Sequence, residues 1–519
     1  MSQDAAVQLS KRELYTVFGA LMLGMFLSAL DGTIVSTALP TIVGELKGAQ
    51  HLSWVVVAYL LASTVSTPLW GKLGDLFGRK NLYQTSIVLF IIGSVMCAVS
   101  NSMLMLILSR ALQGLGGGGL MVGSQAVIGD LVPPRDRGRY SGLFGATFGA
   151  ATVLGPLIGG LIVDNLSWRW VFLVNIPLGL IALVVTGFAL PDNHVRKSHK
   201  MDYLGALLLT ISASCIILVT SLGGHSFAWF STQSAVLVLI SIVAAIWLLR
   251  VENRASEPVL APRIVRQRVV WSASAIGFVT GFAMYGAMTF LPFFFQTVFH
   301  VSPTMSGLRL LPLMVGLFSM SMLAGQLLAR GWRYNLFPRI GSAIMVLGLV
   351  LLGTVSEHTN GAVMALYMLI LGFGMGLVMQ ILVVAVQNAV ELRDMGAATA
   401  SANFFRSLGG SFGTAIFGAI YANVLPHHLA SNAVAQHVDP SAFPPADQWT
   451  PAGLAHVAPE ALQVIIHSVT QSIQVVFRYS VPVAVVAFLL SLTLPYNKLK
   501  SRVGGESPQE AAEPPLLEL

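Results

Sequence analysis

Asp31 has the clearest chemical role in this sequence, because it places a carboxylate inside a long apolar segment, residues 14–38, that ends just before Pro40. A charged group at the centre of a membrane helix costs about 2.5–3.5 kcal/mol on insertion scales. A chain keeps such a group when the group carries a proton or holds a cation. We therefore predict one of these roles for Asp31. The alternative is a side chain near the outer interface that extends toward water.

A second charge, Arg110, lies inside another apolar segment, in the string LILSRALQGLG at 106–116. An arginine at membrane depth needs a partner or a water-filled cavity. The sequence predicts that Asp31 is this partner, directly or through water, so that protonation and substrate binding compete for one carboxylate. The alternative is that Arg110 pairs only with backbone carbonyl groups.

The decapeptide GKLGDLFGRK at 71–80 connects two apolar segments. Its glycines fit a tight turn packed against neighbouring helices. Asp75 can pair with Arg79 or with the N-terminus of a helix, where the helix dipole favours negative charge. Either contact would hold this connection against a neighbouring helix. The alternative is an ordinary basic turn.

The composition defines the class of protein. Of the 519 residues, 55% are hydrophobic and only 10% are charged, whereas a soluble domain carries about 25% charged residues. The net charge of +7 comes from short connections between apolar segments, which argues against a nucleic-acid-binding domain. The two cysteines, Cys97 and Cys215, provide neither a disulfide framework nor a metal or redox pair. HExxH and Walker A strings are absent, which disfavours an embedded enzyme.

The apolar segments predict an all-α integral membrane protein with fourteen spanning helices, each near the ~20 residues that a bilayer requires. The predicted spans are 14–39, 53–71, 82–100, 104–128, 141–163, 170–190, 204–223, 233–250, 270–298, 306–328, 338–355, 362–387, 402–424 and 477–495. The connections on one side hold 23 of the 29 lysine and arginine residues. Because basic loops stay inside, both termini are predicted to be cytoplasmic. The first span is predicted to be uncleaved, and the short loops favour a bacterial plasma membrane.

The order of the segments predicts two six-helix bundles separated by two extra helices. The predicted units are an N-terminus (1–13), a first bundle (14–190), a two-helix insertion with its linkers (191–268), a second bundle (269–498) and a disordered tail (499–519). An echo of the decapeptide, GQLLARG at 325–331, then falls at the same helix junction of the second bundle, as in parallel-repeat transporters. An outer loop is predicted at 425–477, irregular in its first half. From Pro459 its pattern is helical and predicts either an extension of the last span or a helix flat on the membrane.

Together these strings resemble the 14-helix drug:proton antiporters of the major facilitator superfamily. The matching strings are LDGTIVSTALP at 30–40, the decapeptide at 71–80, the segment around Arg110 and WRWVFLVNIP at 168–177. The resemblance covers about 14–424 and 477–495. It implies proton coupling at Asp31 and Arg110. It also implies a conformational latch formed by Gly71, Asp75, Gly78 and Arg79.

The predicted fifth span carries the string GAATVLGPLIGG at 149–160. It resembles a motif associated with antiporters, which favours export over uptake. The motif residues are Gly149, Gly155, Pro156, Gly159 and Gly160. Small residues let two helices approach closely. The same reasoning applies to Gly114, Gly116 and Gly119, which match GxGxxG but follow no strand, so a dinucleotide site is rejected.

Polar and aromatic side chains within the spans are candidates for the lining of a substrate cavity. The candidates are Tyr59, Gln113, Phe282, Tyr285, Gln380 and Asn388. Ordinary helix packing is an equal alternative for each. Arg406 is expected near the cytoplasmic end of its span.

The predicted function is a proton-coupled antiporter that exports hydrophobic or cationic drugs and dyes by alternating access. It needs no cofactor and no metal, and its partners are protons, small substrates and the lipid bilayer. Asp31 is the one carboxylate well inside an apolar segment, which disfavours divalent cations as substrates. The protein is predicted to act as a monomer. The alternatives are an exporter of a lipid or another amphiphilic metabolite, and a non-transporting membrane sensor or scaffold.

Overall fold

The computed structural model describes residues 11–46, 52–132, 165–190, 202–223, 231–255, 257–439 and 457–499, together with parts of 147–163 and the positions 227–229, 443–444 and 454. The regular elements of these residues are helices, apart from one isolated bridge between Gly223 and Phe227. Residues 500–519 of the predicted tail and the start of the fifth span at 141–146 lie outside the described residues.

Twelve described helices are long and apolar enough to cross a membrane, and two shorter apolar helices, α5 and α11, complete the predicted order. The first seven are α1 (Lys11–Leu46), α2 (Leu52–Phe77), α3 (Arg79–Ala98), α4 (Met103–Leu131), α5 (Gly149–Val163), α6 (Trp170–Ala189) and α7 (Tyr203–Leu222). The others are α8 (Thr232–Glu252), α9 (Arg268–Val298), α10 (Leu311–Ala329), α11 (Leu336–Leu352), α12 (Gly361–Ala389), α13 (Met395–Gln436) and α14 (Pro459–Leu492). Short helices lie at Pro262–Val265, Pro303–Arg309 and Leu392–Asp394.

The predicted outer loop at 425–477 is wrong in its irregular first half over 425–436, because α13 continues to Gln436. Helix that projects beyond the bilayer need not be apolar, and the polar residues after 424 hid it from a search based on hydropathy. The extension of the last span from Pro459 is confirmed. Val464, Ile465 and Val469 are fully buried, so this extension is packed against the protein.

Helices α1–α4 and α6 pack together, with α4 in contact with α1, α2 and α3. Glycines make this close packing possible. A methyl group on Gly114 would fall 2.5 Å from the Tyr59 carbonyl oxygen, and one on Gly116 would fall 2.5 Å from Phe90 N. The interpretation of these glycines as helix contacts is therefore confirmed.

Helices α9–α14 form a second packed group, in which α9 lies against α13 and α14, and α12 lies between α10 and α11. The pair α7–α8 packs on itself and, through α7, on both α2 and α13. Its apolar contact includes Val65, Leu208, Ala213 and Phe404. The two groups meet along α2 and α13, with α4 also touching α13.

Candidate functional site

Asp31 lies wholly inside the first group of helices, and its side chain is 0% exposed. The guanidinium of Arg110, on α4, forms an ion pair with Asp31 Oδ2. Asp31 Oδ1 accepts hydrogen bonds from Gln113 Nε2 at 2.7 Å and from Asn175 Nδ2 at 3.1 Å. The predicted pairing with Arg110 is confirmed. The alternative of a carboxylate that extends toward water is wrong.

Arg110 is itself 2% exposed and has several partners. Besides its ion pair, it donates through Nη1 to Gln113 Oε1 at 2.7 Å and through Nε to the Val55 carbonyl at 3.4 Å. Its guanidinium carbon lies 4.2 Å from the centroid of the Tyr59 ring, a cation–π contact. Arg110 therefore binds a carboxylate, an amide, a carbonyl and a ring together, and pairing with carbonyl groups alone is excluded.

A further layer of polar groups surrounds this pair. Ser94 Oγ, on α3, accepts from Gln113 Nε2 at 2.8 Å and from Asn175 Nδ2 at 3.3 Å. We call Asp31, Arg110, Gln113, Asn175 and Ser94 the Asp31 network. Its formal charges cancel, as a buried ion pair requires if it is to persist away from water.

Asn175 and Ser94 were missed in the sequence. The available signal was Asn175, an amide between Val174 and Ile176 in an otherwise apolar segment. Within the described residues, Asn175 Oδ1 is buried and has no hydrogen-bond partner. One acceptor atom of the Asp31 network is therefore unused in this structure.

Helix α5 packs against α1 beside the Asp31 network. A methyl group on Gly155 would fall 2.0 Å from Thr33 Oγ1, and one on Gly159 would fall 3.0 Å from the Ile34 carbonyl oxygen. Thr33 Oγ1 also donates to the Ala151 carbonyl at 3.0 Å. These glycines therefore let α5 approach the backbone next to Asp31.

The other residues of the α5 motif lie elsewhere on the helix. A methyl group on Gly149 would overlap the Phe318 ring of α10, and Pro156 approaches Gly307. Gly160 is half-buried. Helix α5 therefore contacts both groups of helices.

The residues of the predicted latch meet at the junction of α2 and α13. Asp75 accepts hydrogen bonds from the backbone N–H groups of Gly396 at 2.9 Å and Ala397 at 2.7 Å, and it forms an ion pair with Arg79. Asp75 thus caps the N-terminus of α13, where unpaired N–H groups and the helix dipole attract an anion. Both predicted partners of Asp75 are present at once.

Glycines allow close packing of the helices at the predicted latch. A methyl group on Gly71 would fall 2.4 Å from Ala400 Cβ, so only hydrogen at this position permits the contact between α2 and α13. Gly78 has φ of 92°, a conformation that glycine adopts without strain, and it begins the turn into α3. Arg79 Nε also donates to Asp130 Oδ2 at 2.9 Å. Asp130, at the end of α4, was missed because its segment carries no motif.

A buried amide cluster crosses the same junction. Asn403 Nδ2, on α13, donates to Gln125 Oε1 of α4 at 2.6 Å. Gln387 Nε2, on α12, donates to the Gln125 carbonyl at 3.2 Å and to Thr399 Oγ1 at 3.0 Å. The two groups of helices are therefore joined here by charged and neutral hydrogen bonds on the side of the α2–α3 turn.

The model of the Major Facilitator Superfamily matches residues 21–414. This chain belongs to that superfamily. It is 42% identical to an uncharacterised MFS-type transporter of Mycobacterium tuberculosis over 92% of this chain and 69% of the relative. It is 38% identical to the multidrug transporter protein MdtP of Bacillus subtilis over 83% of this chain and 79% of the relative. The structure of the proton:xylose symporter XylE shares its fold, with a TM-score of 0.60 at 16% identity over 94% of this chain and 98% of the other.

The fold and family make this chain a multi-pass membrane transporter of the major facilitator fold and not an enzyme. The resemblance to the major facilitator superfamily is therefore confirmed. Two of the relatives are named as a multidrug transporter protein and a multidrug resistance protein. Among the described residues, no group of three or more His, Cys, Asp or Glu side chains is placed to hold a metal ion.

Three of the six predicted cavity residues of this transporter, Tyr59, Gln113 and Asn388, are buried in contacts between helices. Gln113 and Tyr59 belong to the buried contacts of Asp31 and Arg110, and Tyr59 shares a 3.0 Å hydrogen bond with Ser28. Asn388 is buried at the end of α12 and donates to the Lys498 carbonyl at 3.3 Å. Sequence reasoning recognised these residues as polar, but the direction of a side chain on a helix was not available to it.

The other three predicted cavity residues lie in the second group of helices. Phe282 packs edge-to-face on Phe417 with ring centroids 5.3 Å apart. Tyr285 is 40% exposed and lies over Gly410. Gln380 is half-buried on α12. Their role in a cavity remains a prediction.

Proposed function

We propose that this transporter is a proton-coupled antiporter that exports hydrophobic drugs and dyes. The observation that carries the proposal is the Asp31 network, which holds a titratable carboxylate inside a membrane-spanning group of helices with an arginine as its counter-ion. Intramembrane carboxylates of this kind mark proton pathways. The multidrug transporter MdtP among its relatives supports the substrate class.

Protonation of Asp31 would rearrange this network in a defined way. A neutral carboxyl group no longer balances Arg110, and it gains an O–H that must donate. The buried Oδ1 of Asn175 is an acceptor without a partner among the described residues, and rotation of its amide would present it to that proton. Loading and release of a proton then change how α1, α4 and α6 are held together.

We propose that the proton and the substrate do not share the Asp31 carboxylate. Both of its oxygens are occupied by Arg110, Gln113 and Asn175, and no part of its side chain is exposed. A cationic drug therefore does not need Asp31 as its direct partner, and coupling passes through the packing of the helices. This indirect coupling replaces the direct competition between proton and substrate for the Asp31 carboxylate, which the sequence predicted.

Alternating access would move the bundle at 14–190 against the bundle at 269–498. The Asp75 latch and the Gln125–Asn403 contact hold the two together on one side. We assign this side to the cytoplasm from the positive-inside distribution of basic residues. The protein then sits in a bacterial plasma membrane with both termini inside, and its latch closes the cytoplasmic entrance.

The experiment is dye efflux from proteoliposomes under an imposed pH gradient, with the intact protein and Asp31→Asn compared. The asparagine keeps the size of the side chain and removes its proton, so gradient-driven efflux is expected to disappear. Glu460→Gln, at an exposed position on the first turn of α14, is the matched control and is expected to transport normally.

Equal efflux by the intact protein and Asp31→Asn would remove Asp31 from the coupling mechanism. An absence of dye efflux in both proteins, each shown to be folded, would instead contradict the drug class and favour export of a lipid or another amphiphilic metabolite.

A further inference from the structure

Arg406 lies on α13, a helix long and apolar enough to cross a membrane. The helix begins at Met395, and eleven residues at 1.5 Å each place Arg406 about 16 Å along it. The residue is 8% exposed. The expectation that Arg406 lies near the cytoplasmic end of its span stays a prediction, because α13 starts seven residues before the predicted span and helix can project beyond the bilayer.

Arg406 faces α9 across a contact made by two glycines. A methyl group on Gly281 would fall 2.3 Å from the Arg406 carbonyl and 3.3 Å from its Cγ, and one on Gly277 would fall 3.9 Å from its Cβ. The side chain therefore leaves α13 toward the interior of the second group of helices, between α9 and α13, and not toward lipid.

In the part of the chain that the structure describes, the Arg406 guanidinium has neither an ion pair nor a hydrogen bond. Arg110 provides the comparison, because it lies at membrane depth with a carboxylate, an amide and a carbonyl around it. A guanidinium is charged at every accessible pH. A buried charge without a partner is strongly unfavourable, and a chain that keeps one inside a membrane uses it for a ligand.

The described charges at this depth leave a net positive site. Asp31 is neutralised by Arg110, so no free carboxylate remains to attract a cation, while Arg406 stays uncompensated. Its ligand must therefore bring a negative charge.

The walls beside Arg406 are apolar and aromatic. On the same two helices, Phe278 packs on Phe412 with centroids 5.8 Å apart, and Phe282 packs on Phe417. Tyr285, one turn beyond Gly281, keeps 40% of its surface exposed. A ligand that suits both features has one anionic group and a hydrophobic body.

We propose that Arg406 binds the anionic group of an amphipathic ligand, a carboxylate or a phosphate, between α9 and α13. The planar guanidinium can bind either group through two parallel hydrogen bonds. The ligand is then an acidic amphiphile, and that it is also exported rests on the function proposed above.

The test measures binding without a gradient, with the full-length protein in nanodiscs of phosphatidylcholine. The probes are a fluorescent fatty acid and its primary amide, which share the fluorophore and the chain and differ in charge. The intact protein is expected to bind the acid about tenfold more tightly than the amide, or better, as for a hydrogen bond to a charged group. Arg406→Gln should bind both probes equally, and Arg406→Lys should keep part of the preference.

Arg330→Gln, an exposed arginine at the end of α10, is the matched control and should bind as the intact protein does. Arg406→Gln should melt no lower than the intact protein, because it removes an uncompensated charge. Replacing half of the phosphatidylcholine with phosphatidylglycerol separates two sources of the same chemistry. Displacement of the acid would assign the site to a lipid headgroup, and its retention would assign it to a free amphiphile.

Equal binding of the acid and the amide by the intact protein would overturn the proposal, and so would undiminished binding of the acid by Arg406→Gln. A lower melting temperature of Arg406→Gln with unchanged preference would assign Arg406 a structural role. None of these outcomes depends on Asp31 or on a pH gradient, so the inference and the proposed function can fail separately.

Discussion

The Asp31 network and the Asp75 latch each combine a buried aspartate with an arginine, but they connect different parts of the molecule. Asp31 lies on α1, and its described side-chain partners belong to α4 and α6, within the same group of helices. Asp75 binds Arg79 in its own group and the first N–H groups of α13 in the other. A pair inside one group can persist while the groups move, whereas a contact between groups must break. In the proposed alternating-access cycle, the same two residue types would thus form a permanent contact in one place and a reversible contact in the other.

Removal of Arg110 should give the largest effect. Arg110→Met leaves the Asp31 carboxylate buried without its counter-ion, which should lower the free energy of unfolding by about 3–5 kcal/mol. Unfolding in mixed detergent micelles, followed by tryptophan fluorescence, measures the loss. The double variant Asp31→Asn/Arg110→Met should recover most of it. If Arg110→Met lowers the free energy of unfolding as little as Arg406→Met does, the Asp31 network does not stabilise the fold.

Weakening of the latch should give a smaller effect, which appears in the equilibrium between the closed and open states of the contact between α2 and α13. Asp75→Asn removes the negative charge that accepts hydrogen bonds from two N–H groups of α13. This should destabilise the closed state by about 1–3 kcal/mol. The measurement is the labelling rate of Ala400→Cys, which is fully buried beside Gly71, in a Cys97→Ser/Cys215→Ser background. The rate should rise about tenfold or more. Glu460→Gln should leave it unchanged, and an unchanged rate in Asp75→Asn would show that the latch does not control access.

The exposed pair of Glu45 and Arg169 should give the smallest effect. Glu45 accepts hydrogen bonds from Arg169 Nη1 at 2.6 Å and from Trp168 Nε1 at 2.8 Å, and these hydrogen bonds lower the pKa of Glu45 below its ordinary value. Because the folded-state pKa is depressed, the stabilisation is present above the unfolded pKa of about 4.3 and is lost as pH falls through the folded value. Melting temperatures of the intact protein and Glu45→Gln should therefore converge in acid and differ slightly at neutral pH. A constant difference across this range would mean that the pair contributes nothing through its charge.

The parts of the site that could be predicted are those in which physics leaves one solution. A carboxylate and an arginine in apolar segments must find each other, so the pairing of Asp31 with Arg110 followed from their types alone. The glycines of the 71–80 string likewise indicated a close approach, although its partner, the start of α13, is more than 300 residues away along the chain.

The parts that could not be predicted depend on the direction of side chains and on helix beyond the bilayer. Gln113 fits a cavity wall or a buried network equally well until the rotation of α4 is known. Asp130 belongs to no motif, and the string WRWVFLVNIP, which contains Asn175, assigned that residue no role. The contacts of both residues come from neighbours that only the fold assembles. The outer end of α13 was missed because its residues are polar. The length of an apolar segment indicates the part of a helix inside the membrane and not the full length of the helix.

Helix α13 holds 42 residues without interruption, a length of about 63 Å, roughly twice the thickness of the hydrocarbon layer. Its first residues are held by Asp75, and Arg406 lies about a quarter of the way along it. Its far end is joined to α14 through hydrogen bonds from Asn432 to Ser468 and between His428 and Ser472. A spectroscopic label near Gln436 would therefore report from one side of the membrane on the opening of a contact on the other.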